Sequence, residues 1–156
     1  MNAPMKTILF LHGLESEPGG AKPTFLSGEG HQVLNPALPR DDFKESVKIA
    51  QAHVYAHRPD FIVGSSRGGA VAMCLDTLRI PTVLIAPAWK KYDVSPPDLG
   101  ENATILHSVC DELIPLTDSA ELSSDYGYRM YACGADHRMS DPDALKMLKA
   151  VVDENR

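Results

Sequence analysis

A hydroxyl, an imidazole and a carboxylate can together make an acyl-transfer catalyst, and this chain offers one candidate for each in Ser66, His137 and Asp111. Ser66 sits in Gly64-Ser65-Ser66-Arg67-Gly68, which fits G-x-S-x-G. An apolar run, Phe61-Ile62-Val63, precedes it, and helix-like spacing of Val71, Cys74, Leu75 and Leu78 follows. Strand, sharp turn and helix are the context that this spacing needs. The turn lifts the hydroxyl clear of a sheet, and small residues on either side let strand and helix pass closely. The helix N-terminus behind the serine offers free N–H groups and a positive dipole end to an oxyanion. Ser65 is a second hydroxyl, but it holds the x position and would point elsewhere. A serine alcohol is a poor nucleophile until a base takes its proton. A serine in a merely tight turn is the alternative reading.

The chain has six histidines from which that base must come. His53 and His57 fall in a helical stretch, His31 lies upstream of a strand, and His107 falls inside one. His12 ends a strand, where a hydrogen-bonded structural imidazole is its simplest role. His137 is the choice for general base. Asp111 is the choice for the group that orients it and stabilises its imidazolium. Asp111-Glu-Leu-Ile-Pro115 follows a strand, and Pro115 opens the next helix. Of the other acids, Glu112 should face away, Asp118 reads as a helix cap and Asp136 as a loop-stabilising carboxylate.

These residues are spread along the chain, so strand ends must gather them. Residues 7–11, 32–34, 61–63, 83–85, 103–106 and 129–132 read as strands. Helices are expected from about 23–27, from Asp41 or Asp42 to Pro59, after the serine turn, for about ten residues after Pro115, and from Asp141 onward. The helix before Pro59 should bury Phe43, Val47, Ala50 and Val54, and the last one Leu145, Leu148 and Val152. Residues 14–22 and 88–101 are loops rich in turn formers. Alternating strands and helices predict βαβ units and a parallel sheet. Ligands bind beyond the carboxyl ends of such strands. The residues there are His12-Gly13, Ser65-Ser66, Ala88-Trp89, Cys110-Asp111 and Gly134 to His137.

Composition sets outer bounds. The 156 residues are 44% hydrophobic and 23% charged, without repeat or linker, which suits one domain spanning 1–156. A net charge of −6 without a basic stripe argues against nucleic acid or an anionic membrane as main partner. No apolar run approaches the length of a membrane span, and the N-terminus lacks a signal-peptide pattern. Three cysteines without C-x-x-C read as small buried residues in a reducing cytoplasm.

Four motifs at strand ends carry a resemblance: Ile8-Leu-Phe-Leu-His-Gly13, Gly64-Ser-Ser-Arg-Gly-Gly69, Asp111-Glu-Leu-Ile-Pro115 and Gly134-Ala-Asp-His137. Together they resemble a small α/β-hydrolase. With Ala21-Lys22 and Asn35-Pro-Ala-Leu-Pro39, they resemble the compact bacterial YqiA-like esterases over residues 6–152. The resemblance implies a compact α/β fold with a single six-stranded parallel sheet ordered 2-1-3-4-5-6, helices on both faces and no lid domain. It implies a serine esterase or thioesterase acting on a small-molecule substrate without metal or organic cofactor. It also places His12 and Gly13 in a loop that shapes the oxyanion hole, whose donors would be the backbone N–H groups of Arg67 and Leu14. The Arg67 side chain departs from the commoner pattern, either pairing with a surface carboxylate or favouring an acidic substrate. Trp89 either lines the substrate pocket or packs at the sheet edge. Only residues 88–101 are available for a lid, so a shallow, open site is expected. A non-catalytic binding protein, carbon–carbon bond hydrolysis and perhydrolysis remain alternatives on the same scaffold. Activity rising through about pH 6–7 would be the signature of an imidazole base.

Overall fold

The computed structural model describes residues 4–14 and 17–154. Met1 to Ala3, Glu15 and Ser16 (the last two within the loop expected over 14–22), Asn155 and Arg156 lie outside the described residues. The strands are β1 (Thr7–Leu11), β2 (Gln32–Leu34), β3 (Phe61–Ser65), β4 (Thr82–Ile85), β5 (Ala103–His107) and β6 (Arg129–Ala132). The helices are α1 (Ala21–Gly28), α2 (Phe43–His57), α3 (Arg67–Ala72), α4 (Leu116–Tyr126) and α5 (Pro142–Asp153). All neighbouring strands pair in parallel, in the order β2-β1-β3-β4-β5-β6. This is the order that the resemblance implies.

Alternation along the central strands divides the core into two layers, because successive side chains point to opposite faces. Leu9, Leu11, Ile62, Leu84 and Ile105 pack with Ala50 and Val54 of α2, Val71 of α3 and Leu122 of α4. Ile8, Phe10, Val63, Val83 and Ile85 pack with Leu26 of α1 and with Leu148, Val151 and Val152 of α5. Helices therefore cover both faces, which explains why the central strands are apolar throughout rather than alternating.

Helix ends follow their local chemistry. The Asp42 side chain accepts from the Glu45 N–H and caps α2, and the helix stops at Arg58, in the left-handed region just before Pro59. Asp141 caps α5 with Pro142 next to it. Asp118 forms no such cap, since α4 follows Pro115 without a side-chain cap bond. Helix α1 starts at Ala21, ahead of the expected position, and β3 continues through Ser65. Leu145 is only partly buried, and Ala144 and Val151 take its place in the core.

The helix after the serine turn is much shorter than its spacing suggests. Beyond Ala72 the N–H groups of Cys74 and Leu75 bond three residues back, to Val71 and Ala72, which tightens the last turn. Leu78 and Arg79 then take positive φ and turn the chain into β4. Cys74 is consequently exposed, as is Cys110, so the expectation of three buried cysteines holds for Cys133 alone.

Gly64 and Gly68 are where α3 crosses the sheet. A Cβ on Gly64 would overlap the Gly68 carbonyl, and one on Gly68 would overlap the Leu11 carbonyl at the end of β1. Both obstacles are backbone and cannot rotate away. Gly68→Ala should therefore cost about 3 kcal/mol or more by overpacking. Gly28→Ala, with open space around the new methyl at the end of α1, should be neutral or stabilise by about 0.5–1 kcal/mol. Urea unfolding of both variants checks the contrast.

Candidate active site

Ser66 stands between β3 and α3 at φ 55° and ψ −113°, a conformation that residues with a side chain avoid. Four backbone hydrogen bonds hold it there. Its N–H donates to the Ile85 carbonyl at 2.8 Å, and its carbonyl accepts from Ala88 at 3.0 Å, Gly69 at 3.0 Å and Ala70 at 3.2 Å. The end of β4 and the first turn of α3 thus clamp the residue from two sides, which is how local strain persists in a fold. Ser65, its neighbour, is buried as the last residue of β3.

The loop after β6 brings His137 to this turn. Its Nε2 lies 3.0 Å from Ser66 Oγ, and its Nδ1 lies 2.7 Å from Asp111 Oδ2. A carboxylate only accepts, so Nδ1 carries the proton and Nε2 is left to accept from the serine hydroxyl. The loop is itself tied down. Asp141 Oδ1 accepts from the Ala135 N–H, Asp143 accepts from Gly134, and Ser108 Oγ donates to the Gly134 carbonyl. The two acidic residues that open α5 therefore also set the height of His137. Asp136 accepts from the Arg138 N–H within the same loop.

Asp111 follows the turn after β5, and its carboxylate is fully buried. Oδ1 accepts from the N–H groups of Leu113 and Ile114, both at 2.8 Å. Oδ2 faces two imidazoles, His137 at 2.7 Å and His107 at 3.1 Å. Burial alone would raise the carboxyl, but the Ile114 N–H, the His137 ring and the Leu113 N–H outweigh it and hold it below its ordinary value.

His107 is the member of this group that the sequence did not reveal. It has no solvent exposure, and its Nε2 is also 3.0 Å from the Ile114 carbonyl. Both of those neighbours accept, so Nε2 must donate, and Nδ1 accepts from Ser119 Oγ at 2.7 Å. This imidazole thus braces Asp111 at the same oxygen that meets His137. The only sequence signal was a histidine at the last position of an otherwise apolar strand, four residues before the aspartate.

His12 is structural in its contacts. Its Nε2 accepts from the Leu38 N–H at 3.0 Å, so its Nδ1 donates to the Gly13 carbonyl at 2.9 Å. That bond orients the peptide between Gly13 and Leu14, and a trans amide directs the Leu14 N–H away from the carbonyl so held. Asn35 secures the same region by donating to the Phe10 carbonyl and accepting from Gly19. Arg67 is the first residue of α3, so its own N–H has no partner within the helix.

An open cavity of about 810 Å³ lies over this edge of the sheet, lined by His12, Gly13, Leu14, Ser66, Arg67 and His137 among others. Trp89 does not line it. The indole is buried in the core and donates to the Asp118 carbonyl at 3.1 Å, so packing is the role that its contacts describe. The Arg67 side chain is not a surface group paired with a carboxylate either. It is 2% exposed, donates to the Pro39 carbonyl at 2.8 Å and Ser46 Oγ at 3.1 Å, and lies over the rings of Phe43 and Tyr92. Helix α2 packs closely enough on α3 to cover it.

Residues 7–112 match UPF0227, described as an uncharacterised protein family. The chain belongs to that family. The matched span contains Ser66 and Asp111 and ends before His137. Among solved structures, a protein of the alpha/beta hydrolase superfamily from Xanthomonas campestris pv. campestris is similar over 95% of both chains, with a TM-score of 0.76 at 19% identity. The ydeN gene product of B. subtilis has a TM-score of 0.74 at 14% identity, over 95% of this chain and 97% of its own. Est1E from Butyrivibrio proteoclasticus has 0.68 at 16% identity, over 96% of this chain and 86% of its own. At these identities the likeness is one of fold, and the fold is that of the α/β-hydrolases.

Two outcomes follow from the buried carboxylate. His107→Ala leaves Asp111, Ser119 and the Ile114 carbonyl short of a partner, and each group left unpaired should cost about 1–3 kcal/mol in urea unfolding. Asp111 has a folded pKa below its unfolded value, so its ionised form stabilises the fold at neutral pH. That contribution should vanish as pH falls through the folded value, and Asp111→Asn should flatten the acid limb of a stability–pH curve.

Proposed function

We propose that this protein is a serine hydrolase that cleaves small carboxylic esters or thioesters through a covalent acyl-Ser66 intermediate. The observation that carries the reading is the unbroken chain from Ser66 Oγ to His137 (3.0 Å) and on to buried Asp111 (2.7 Å), starting from a strained strand-to-helix turn. Hydrogen bonds of this kind arise readily, but two in series that begin on a held, positive-φ serine have an obvious use.

In the proposed cycle, Ser66 Oγ attacks the acyl carbon while its proton passes to His137 Nε2. Asp111 keeps the ring oriented and offsets the positive charge it gains. The negative charge on the former carbonyl oxygen would be met by the backbone N–H groups of Arg67 and Leu14, one at a helix N-terminus and one aimed by the His12–Gly13 bond. Collapse expels the alcohol or thiol, which takes the proton from His137. Water then enters, gives its proton to the same nitrogen, and releases the carboxylic acid with Ser66 restored. His12 and Gly13 would act here by shaping that loop rather than by chemistry of their own.

The test is intact-mass spectrometry after exposure to a fluorophosphonate, with turnover of a short p-nitrophenyl ester measured alongside. Wild type should gain one adduct, and Ser66→Ala none. Turnover should fall by about six orders of magnitude in Ser66→Ala. Retained turnover in folded, pure Ser66→Ala protein overturns the assignment.

A further inference from the structure

We propose that the ester or thioester cleaved at Ser66 carries an anionic group, a carboxylate or phosphate, which the cationic wall of the cavity holds. The proposal rests on the serine-hydrolase reading above and narrows its substrate class. The chain has a formal net charge of −6, yet among the described residues the charged side chains lining the cavity are Lys22, Arg67, Lys91 and Arg138 against a single acid, Glu17. A positive cleft in a negative protein is a local arrangement rather than a reflection of overall composition. Low-dielectric walls focus such a field onto whatever enters.

Arg67 adds to that field from within the wall. Its charge is permanent, and no carboxylate forms an ion pair with it among the described residues. Its hydrogen-bond partners are a carbonyl and a hydroxyl, and Nε has none at all. The guanidinium lies 5.7 Å from the ring centroid of Tyr92, which itself lines the cavity. A buried cation compensated only by dipoles and ring faces leaves much of its potential uncancelled.

Lys22 is the best placed of the lining cations. Its Nζ donates to the Arg138 carbonyl at 2.6 Å, which keeps the ammonium beside the residue that follows His137. Burial, and then the charge of Arg138, lower its pKa to about 8, with Asp136 offsetting them in part. It is therefore still mostly charged at neutral pH, and among the described residues no carboxylate comes within ion-pairing distance of it, Asp136 acting only from further away. An anion on the substrate would supply that partner. Asp111 keeps its charge, but it does not line the cavity and lies behind the His137 ring.

The experiment uses folded Ser66→Ala protein, which binds without turnover, titrated by NMR with monomethyl glutarate and with neutral dimethyl glutarate. The half-ester should bind roughly tenfold tighter or more at low ionic strength, and high salt should shrink the difference. Lys91 makes no hydrogen bond or ion pair among the described residues, so Lys91→Glu tests the field without disturbing the fold, and should reduce the preference severalfold. Equal affinities, or tighter binding of the diester, overturn the proposal. Wild-type turnover separates this failure from failure of the hydrolase reading. Ser66-dependent cleavage of p-nitrophenyl butyrate with no gain for p-nitrophenyl hydrogen glutarate, or for a butyryl ester of a phosphorylated alcohol, sinks the anion preference alone. A gain for the glutarate places the anion on the acyl side, and a gain for the phosphorylated ester places it on the leaving group.

Discussion

The contact between the backbone of Gly68 and the Leu11 carbonyl is the constraint on which the rest of this site depends. It lets α3 cross the carboxyl ends of β1 and β3 without a side chain between them. With the helix that close, the turn linking it to β3 has to be sharp, and Ser66 absorbs the cost in its backbone. The same closeness sets Gly13, in the loop after β1, against Ser65 and Ser66. Strain at one residue is tolerable because β4 supplies bonds to it from the other side.

A second set of interactions works at the opposite end of the sheet edge. Asp111 is a carboxylate taken out of water, which is unfavourable unless each lone pair finds a donor. Two backbone N–H groups and two imidazoles meet that demand. Because the ionised form is the one so supported, the carboxylate keeps its charge in a buried place, which a base-orienting group requires. His107 shares in this only because Ser119 of α4 fixes its tautomer. The loop bearing His137 is fastened in turn by the first residues of α5. Elements far apart in the chain therefore hold each end of the Ser66–His137–Asp111 chain of contacts.

Much of the fold was legible in the residues. Runs such as Ile8-Leu-Phe-Leu11 can only be strands covered on both faces, and the Asp42 and Asp141 caps and Pro59 mark helix ends by local chemistry. The length of α3 was not legible, since the spacing of Cys74 and Leu78 continues a helical pattern that the chain abandons to reach β4. The places of Trp89 and Arg67 were not legible for a related reason. A large or charged residue near a strand end looks available to solvent or substrate until the helices that cover it are in place. Here α4 meets the indole and α2 covers the guanidinium.

The sequence by itself determined the alternation of strands and helices, the position of the sharp serine turn, and the order in which serine, aspartate and histidine reach the strand ends. Those depend on periodicity, capping and turn chemistry, which act over a few neighbouring residues. Only the tertiary structure decided which imidazoles meet Asp111, that Arg67 is buried with no carboxylate partner among the described residues, and that the described cavity wall is cationic in an acidic protein. Such pairings join residues dozens of positions apart. They are set by how the layers pack, because burial removes water as a partner and leaves each polar group to whichever neighbour the packing brings within reach.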